Sequence, residues 1–275
     1  VPLLISIYHF LNGQMNSYSL AGYHRLLGGY KNLHTHALMM VQLASLAIFW
    51  LALVRDRFGR GLLIALCAGF GASLYFSYVR TGYLGLAIFV GAFLHFSRKR
   101  KALVAFGILL LTLLVLSPEI RERMAFLVDF FDSGDVSFDR RMKGSGRWGL
   151  WTLSMNNFLA RPLWDQILGL GLGGDHLLTV DWVKGHQYWA QSLDPHNDYL
   201  LLLYQAGPVV VVCYLACLWQ VYVSSRSVMK MSNDEWKANF GAYMAALCVY
   251  VLVVNMVSNS LVGRASPGWT FWSLA

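Results

Sequence analysis

Residues 61–96 read GLLIALCAGFGASLYFSYVRTGYLGLAIFVGAFLHF, and how this stretch divides decides the fold. Its two apolar runs, Gly61–Val79 and Tyr83–Phe96, are separated only by Arg80-Thr81-Gly82. A helix rises about 1.5 Å per residue, so one unbroken helix over 61–96 would be roughly 54 Å long, against a hydrocarbon core of about 30 Å. The stretch therefore reads as two spans joined by a tight turn. Gly82, free to take the left-handed conformation that ends helices, is the expected break. Working outward, four more runs approach bilayer length: Thr35–Val54, Ala102–Ser117, Tyr199–Val223 and Ala238–Val262. The runs on either side of Arg98–Lys101 are short, but those basic side chains can snorkel and lengthen both.

The composition agrees. Of 275 residues, 57% are hydrophobic and only 13% charged, where a soluble domain is about a quarter charged. That excludes a soluble enzyme, a disulfide-stapled secreted domain and a disordered tail as readings. Cys67, Cys213, Cys217 and Cys248 all fall inside apolar runs and read as small apolar side chains. The expected fold is an all-α polytopic membrane protein. It has about six complete transmembrane helices, partial spans at both ends, and a long helical extracytoplasmic loop. Val1–Leu11 resembles the tail of a span already under way and Trp269–Ala275 the start of another, so residues 1–275 are expected to be one membrane domain from a longer chain.

The net charge of +8 does not point to nucleic acid, because ten of the 22 Lys/Arg residues lie in three short clusters between spans. These are Arg55, Arg57 and Arg60; Arg98 to Lys101; and Arg226, Lys230 and Lys237. Placing all three in the cytoplasm satisfies the positive-inside rule with one consistent alternation. The opposite face then receives residues 12–34, the turn at Arg80 and the long stretch 118–198, which is mildly acidic. Loops of that length are usually functional. Within it, Pro118–Phe131 has helical spacing, and Arg147–Leu159 is a better amphipathic helix, entered from Gly144-Ser145-Gly146. Its tryptophans suit a headgroup interface. Gly169 to Gly174 has the glycines of a dinucleotide loop without the strand before or helix after, and reads as a flexible turn.

Three polar groups on that outer face need explaining. Arg80, at the hydrocarbon edge, is either an interfacial anchor or an anion ligand. Arg147 opens a helix, where backbone N–H groups also favour anions, or is a solvated loop residue. His196, in Asp194-Pro195-His196-Asn197-Asp198-Tyr199, is either a hydrogen-bonder at a helix start or a general base near neutral pH. Asp198 reads equally as an acid of the first helical turn. Taken together, two arginines suited to phosphate oxygens and one imidazole are the equipment for displacing a diphosphate leaving group with an alcohol.

The order of these motifs resembles the O-antigen ligase and polymerase family of bacterial envelope enzymes. The residues that carry the resemblance are Tyr78-Val-Arg80-Thr-Gly82, Ser145-Gly-Arg147 with Trp151, and Pro162 followed by Leu168-Gly-Leu-Gly-Leu-Gly173. His196-Asn197-Asp-Tyr199-Leu200 and Gly207 complete the series. The resemblance implies a glycosyltransferase of the inner membrane with its site facing the periplasm. It would move a glycan from a polyprenyl-diphosphate carrier to a lipid-A-core sugar, or to another glycan or protein hydroxyl. It would invert the anomeric centre and need no metal or other cofactor. Arg80 and Arg147 would hold the diphosphate and His196 would activate the acceptor. Arg25, Asn197, Asp194 and Trp151 are secondary contacts to diphosphate or glycan. A ligase and a polymerase are not separable at this level, and a flippase of lipid-linked sugars is the rival of another class.

Other polar residues have blander readings. His34 and His36 are interfacial, or less readily a metal pair. Lys31 is grouped with Arg25, and His176, His186, Trp182, Tyr188 and Trp189 with the outer loop. Asn255 and Asn259 read as a bond between helices.

Overall fold

The structure is a computed structural model, and it describes residues 4, 7, 8, 11, 12, 33–117, 147–178 and 196–258. Helix α1 is Leu33–Leu53, α2 Arg57–Ser77, α3 Arg80–Phe96 and α4 Arg100–Leu116. After the long loop come α5 (Arg147–Leu159), α6 (Leu163–Leu168), a 3-10 turn at Gly174–Leu178, α7 (Asp198–Met231) and α8 (Glu235–Val254). The protein is thus an all-α polytopic membrane protein, and the six long apolar runs are the six long helices. Among the described residues α1, α2, α7 and α8 are each long and apolar enough to cross a bilayer, and α3 is a shorter apolar helix. Leu109, Leu111 and Leu116 lie exposed along α4. The expected partial span at 269–275, the helix expected at 118–131 and residues 179–195 lie outside the described residues, as does most of the partial span expected at 1–11.

The described chain forms two compact units. The first comprises the residues up to Leu109 with Gln220–Val254, and the second Leu110–Trp219 with residues 255–258. In the first, α3 packs on α8 and α1, and α1 on α2. Small residues let the helices close: the Gly85 position leaves room for the Tyr250 ring. Beyond it Phe89 meets Tyr243 edge-on at 5.5 Å, and Phe49 meets the same ring at 5.0 Å. His36 is fully buried, with Nε2 3.1 Å from Ser73 Oγ. The interfacial reading of this histidine is therefore corrected: it ties α1 to α2 inside the unit.

The chain does break between the second and third apolar runs, but not at Gly82. Tyr78 takes the left-handed conformation (φ 52°) and caps α2, while Val79, extended, is the N-cap of α3. Ser77 Oγ donates to Leu74 O and accepts from Val79 N–H, so its hydroxyl satisfies backbone groups on both sides of the break. Gly82 lies inside α3, buried where Leu74 of α2 and Ala37 of α1 come closest. Glycine is used there for helix contact, which explains why its position misled the reading of the turn.

In the first unit the three basic clusters converge. Arg55 donates to Glu235 at the start of α8, and Arg98–Arg100, Arg226, Lys230 and Glu235 line one cavity. Arg80 opens α3 and Arg98 follows its end, roughly 25 Å away at helical rise.

Candidate functional site

The second unit is organised around a break inside α7 that the apolar run Tyr199–Val223 concealed. Gly207 has φ 77° and ψ 174°, and Pro208 follows it. Proline has no N–H to give to the carbonyl four residues back, so the Tyr204 carbonyl loses its helical partner. Leu170 N–H takes that place at 2.7 Å, and Gly171 N–H bonds Gln205 O at 3.0 Å. The glycine-rich segment is therefore not a loose turn: its backbone pairs with the broken helix. Gly169 and Gly207 permit the approach, since a β-carbon on Gly207 would collide with the Ile167 carbonyl and one on Gly169 with the Gln205–Ala206 backbone. Both have dihedrals essentially reserved to glycine.

The break leaves a nine-residue half-helix, 198–206. Gln205 Nε2 donates to the buried Asp175 carboxylate at 2.7 Å. Tyr204 is fully buried against Phe158 of α5 and Leu178, and its hydroxyl is 3.1 Å from Ser154 Oγ. Leu150, Ser154 and Phe158, four apart, form the buried stripe of α5. α5 begins and ends where its amphipathic pattern predicts.

His196 stands just before this half-helix. It is half-buried and left-handed (φ 49°), a conformation that costs a non-glycine residue about 1–2 kcal/mol. Asn197 is the N-cap: its side-chain oxygen accepts from Tyr199 N–H at 3.0 Å and Leu200 N–H at 3.1 Å. Asp198 lies in the first turn, where its reading as a first-turn acid placed it, and is fully buried. Its N–H bonds the Asn255 carbonyl at 2.8 Å. Asn255 Nδ2 in turn donates to Tyr214 OH, so the asparagine read as an interhelical bond is one; Asn259 lies outside the described residues. His196 is thereby fixed from the following residues by a side-chain cap and a backbone tether.

The other site residues also fall at helix starts. Arg80 is the first residue of α3, in the first unit, half-buried and preceded by an N-cap that has no side-chain acceptor. Arg147 is the first residue of α5, and half-buried Trp151 lies one turn further along. Arg147 and His196 belong to one compact unit, on helices that pack through Phe158 and Tyr204. Arg25 and Asp194 lie outside the described residues. Sequence reasoning missed Gln205, Asp175 and Tyr204; the Gly207-Pro208 pair inside an apolar run was the signal available.

These features define a polytopic helical membrane protein whose arginines and histidine are set at helix N-termini, one of them on a broken helix locked by backbone pairing. Residues 62–215, more than half of the chain, match the O-antigen ligase family, and the chain belongs to it. The match includes Arg80, Arg147, Trp151, Asp194, His196 and Asn197 and excludes Arg25. No curated protein sequence matches the chain. Membership makes this a membrane protein of the O-antigen ligase or polymerase type, glycosyltransferase-like, with a lipid-linked glycan substrate and a glycan acceptor.

Proposed function

We propose that the protein transfers a glycan from a polyprenyl diphosphate to an acceptor hydroxyl at the periplasmic face of the bacterial inner membrane, as an O-antigen ligase. The observation that carries this reading is His196: a left-handed histidine held at the start of a capped, broken helix. Backbone strain of this kind clusters at functional sites. The acceptor oxygen attacks the anomeric carbon as the bond to the diphosphate oxygen breaks, inverting the centre, and His196 takes the hydroxyl proton. Asp194 and Asp198, the acids on either side of His196 in the sequence, are assigned to orienting the imidazole. The transition state has oxocarbenium character, so negative charge grows on the departing diphosphate. Arg80 and Arg147 neutralise that charge, the larger of the two effects. The N-terminus of α3 adds to this, since no side chain caps it. Arg25, Asn197 and Trp151 supply further contacts to diphosphate or glycan. No metal or other cofactor takes part.

The periplasmic placement is supported by the convergence of the basic clusters at the opposite end of α3 from Arg80. The test uses the full chain in nanodiscs with a polyprenyl-diphosphate-linked oligosaccharide, a lipid-A-core acceptor and a second lipid-linked repeat. Release of polyprenyl diphosphate with glycan on the core lipid is the expected result. His196→Ala should slow it by about 10²–10⁴-fold. A lengthening lipid-linked ladder would make the protein a polymerase instead. Passage of the intact donor across the bilayer, or full activity in the Arg147→Ala, His196→Ala double variant, would overturn the reading.

A further inference from the structure

The described part of the chain has a second polar site, at the far end of α3 and in the first unit alone. A cavity of about 910 Å³ opens there, large enough for a lipid headgroup. Five of its lining residues are cations: Arg98, Lys99, Arg100, Arg226 and Lys230. Among the described residues the single carboxylate lining it, Glu235, is already paired with Arg55 from outside the cavity. Like charges gathered around a cavity repel one another, and an anion entering it would relieve that repulsion.

One of the cations is built in rather than merely exposed. The Arg226 guanidinium lies 5.6 Å from the centre of the Phe96 ring, and its Nη1 donates to Tyr222 OH at 2.9 Å, which fixes the fork in place. Arg98 ends α3 in a left-handed conformation (φ 57°). Lys99 N–H bonds Leu94 O at 2.9 Å and Arg98 N–H bonds His95 O at 3.0 Å. That is the helix-ending motif in which glycine is the favoured residue at the left-handed position. An arginine occupies it here despite the strain, and it faces the cavity. The apolar part of the lining comes from Leu94, Phe96, Leu103, Met229 and Ala238, and Trp236 is exposed nearby, as suits the boundary between headgroups and acyl chains.

We propose that this cavity binds the phosphodiester headgroup of an anionic phospholipid from the leaflet at the basic end of the spans. Basic pockets between transmembrane helices on that side recognise such headgroups, whereas the zwitterionic headgroup of phosphatidylcholine cancels its own phosphate charge. The site is separate from the residues assigned to glycan transfer and does not depend on them.

The experiment is native mass spectrometry of the full chain, delipidated in neutral detergent and titrated with dioleoyl phosphatidylglycerol or dioleoyl phosphatidylcholine. Phosphatidylglycerol should bind about tenfold or more tightly, and Arg226→Gln with Lys230→Gln should remove about tenfold of that affinity. Arg57→Gln with Arg60→Gln, which removes two cations of the first basic cluster outside the cavity, should change it by less than about twofold. Arg98→Gly keeps the inference testable if the Arg226 variant misfolds. It should raise the unfolding temperature by relieving the left-handed strain while weakening phosphatidylglycerol binding. Equal binding of the two lipids would overturn the proposal. So would an equal loss in the Arg57/Arg60 control, undiminished binding in Arg98→Gly, or complete displacement of the lipid by millimolar inorganic phosphate.

Discussion

Between Ser77 and Arg80 the chain interrupts a helix with side chains; at Gly207-Pro208 it interrupts one with backbone. In the first case the Ser77 hydroxyl reaches both helix ends and Tyr78 accepts a left-handed conformation, so that α3 can start at Arg80. In the second, Pro208 withholds a donor and the freed carbonyls are taken by a glycine-lined segment about 35 residues earlier in the chain. The difference lies in what each break has to align. The first has only to turn the chain between spans and set one arginine at a helix start. The second holds α5, the glycine segment and the half-helix together, and with them the helix start that His196 precedes. A local solution suffices for the first; the second requires tertiary contacts that a side chain would obstruct.

The sharpest way to break this contrast is Gly207→Ala. The new methyl would meet the Ile167 carbonyl, a backbone atom that cannot rotate away, at a dihedral pair disfavoured for alanine. Strain of about 1–3 kcal/mol and overpacking of about 1–3 kcal/mol make a loss near 3 kcal/mol the expected outcome. Thermal unfolding of the full chain in nanodiscs measures it. Retention of wild-type stability would mean that the pairing between the glycine segment and α7 is dispensable. Ser77→Ala tests the other side with a smaller effect. It removes a buried hydroxyl that serves Leu74 O and Val79 N–H. The same measurement should show a loss of about 1–2 kcal/mol.

The contrast also explains what the sequence could reveal. Spans are legible because bilayer crossing depends on how many apolar residues follow one another, a property of the chain alone. α5 was legible from its flanking Gly144-Ser145-Gly146 and its periodicity. The candidate site residues were visible as motif positions, and Arg80, Arg147 and His196 share placement at helix starts. The pairing of Leu170 and Gly171 with Tyr204 and Gln205 was not legible. Nothing in a run of leucines and glycines states which distant carbonyl it will meet. Gly207-Pro208 was readable as a break by local rules, but its surrounding apolar run was long enough to satisfy the span criterion and hid it. Likewise His34 and His36 look interfacial by position, and only the packing of α1 on α2 brings Ser73 to His36.

Gly82 supplies the smallest and most discriminating test, because by sequence it was the break and in the structure it is a contact point. A β-carbon there would lie 2.5 Å from Leu74 Cδ1 and 3.0 Å from the Ala37 β-carbon. The nearer neighbour is the tip of a flexible side chain, which can turn aside, and Gly82 has helical geometry, where alanine is favoured over glycine by about 1 kcal/mol. Overpacking, at the low end of about 1–3 kcal/mol because the Leu74 tip can move, opposes that gain, so Gly82→Ala should cost about 1 kcal/mol or less by thermal unfolding. A loss as large as that of Gly207→Ala would mean that the turn depends on glycine's left-handed freedom at position 82, and the side-chain mechanism assigned to Ser77 and Tyr78 would fall. A small loss leaves Tyr78 as the residue that turns the chain, and with it the position from which Arg80 opens α3.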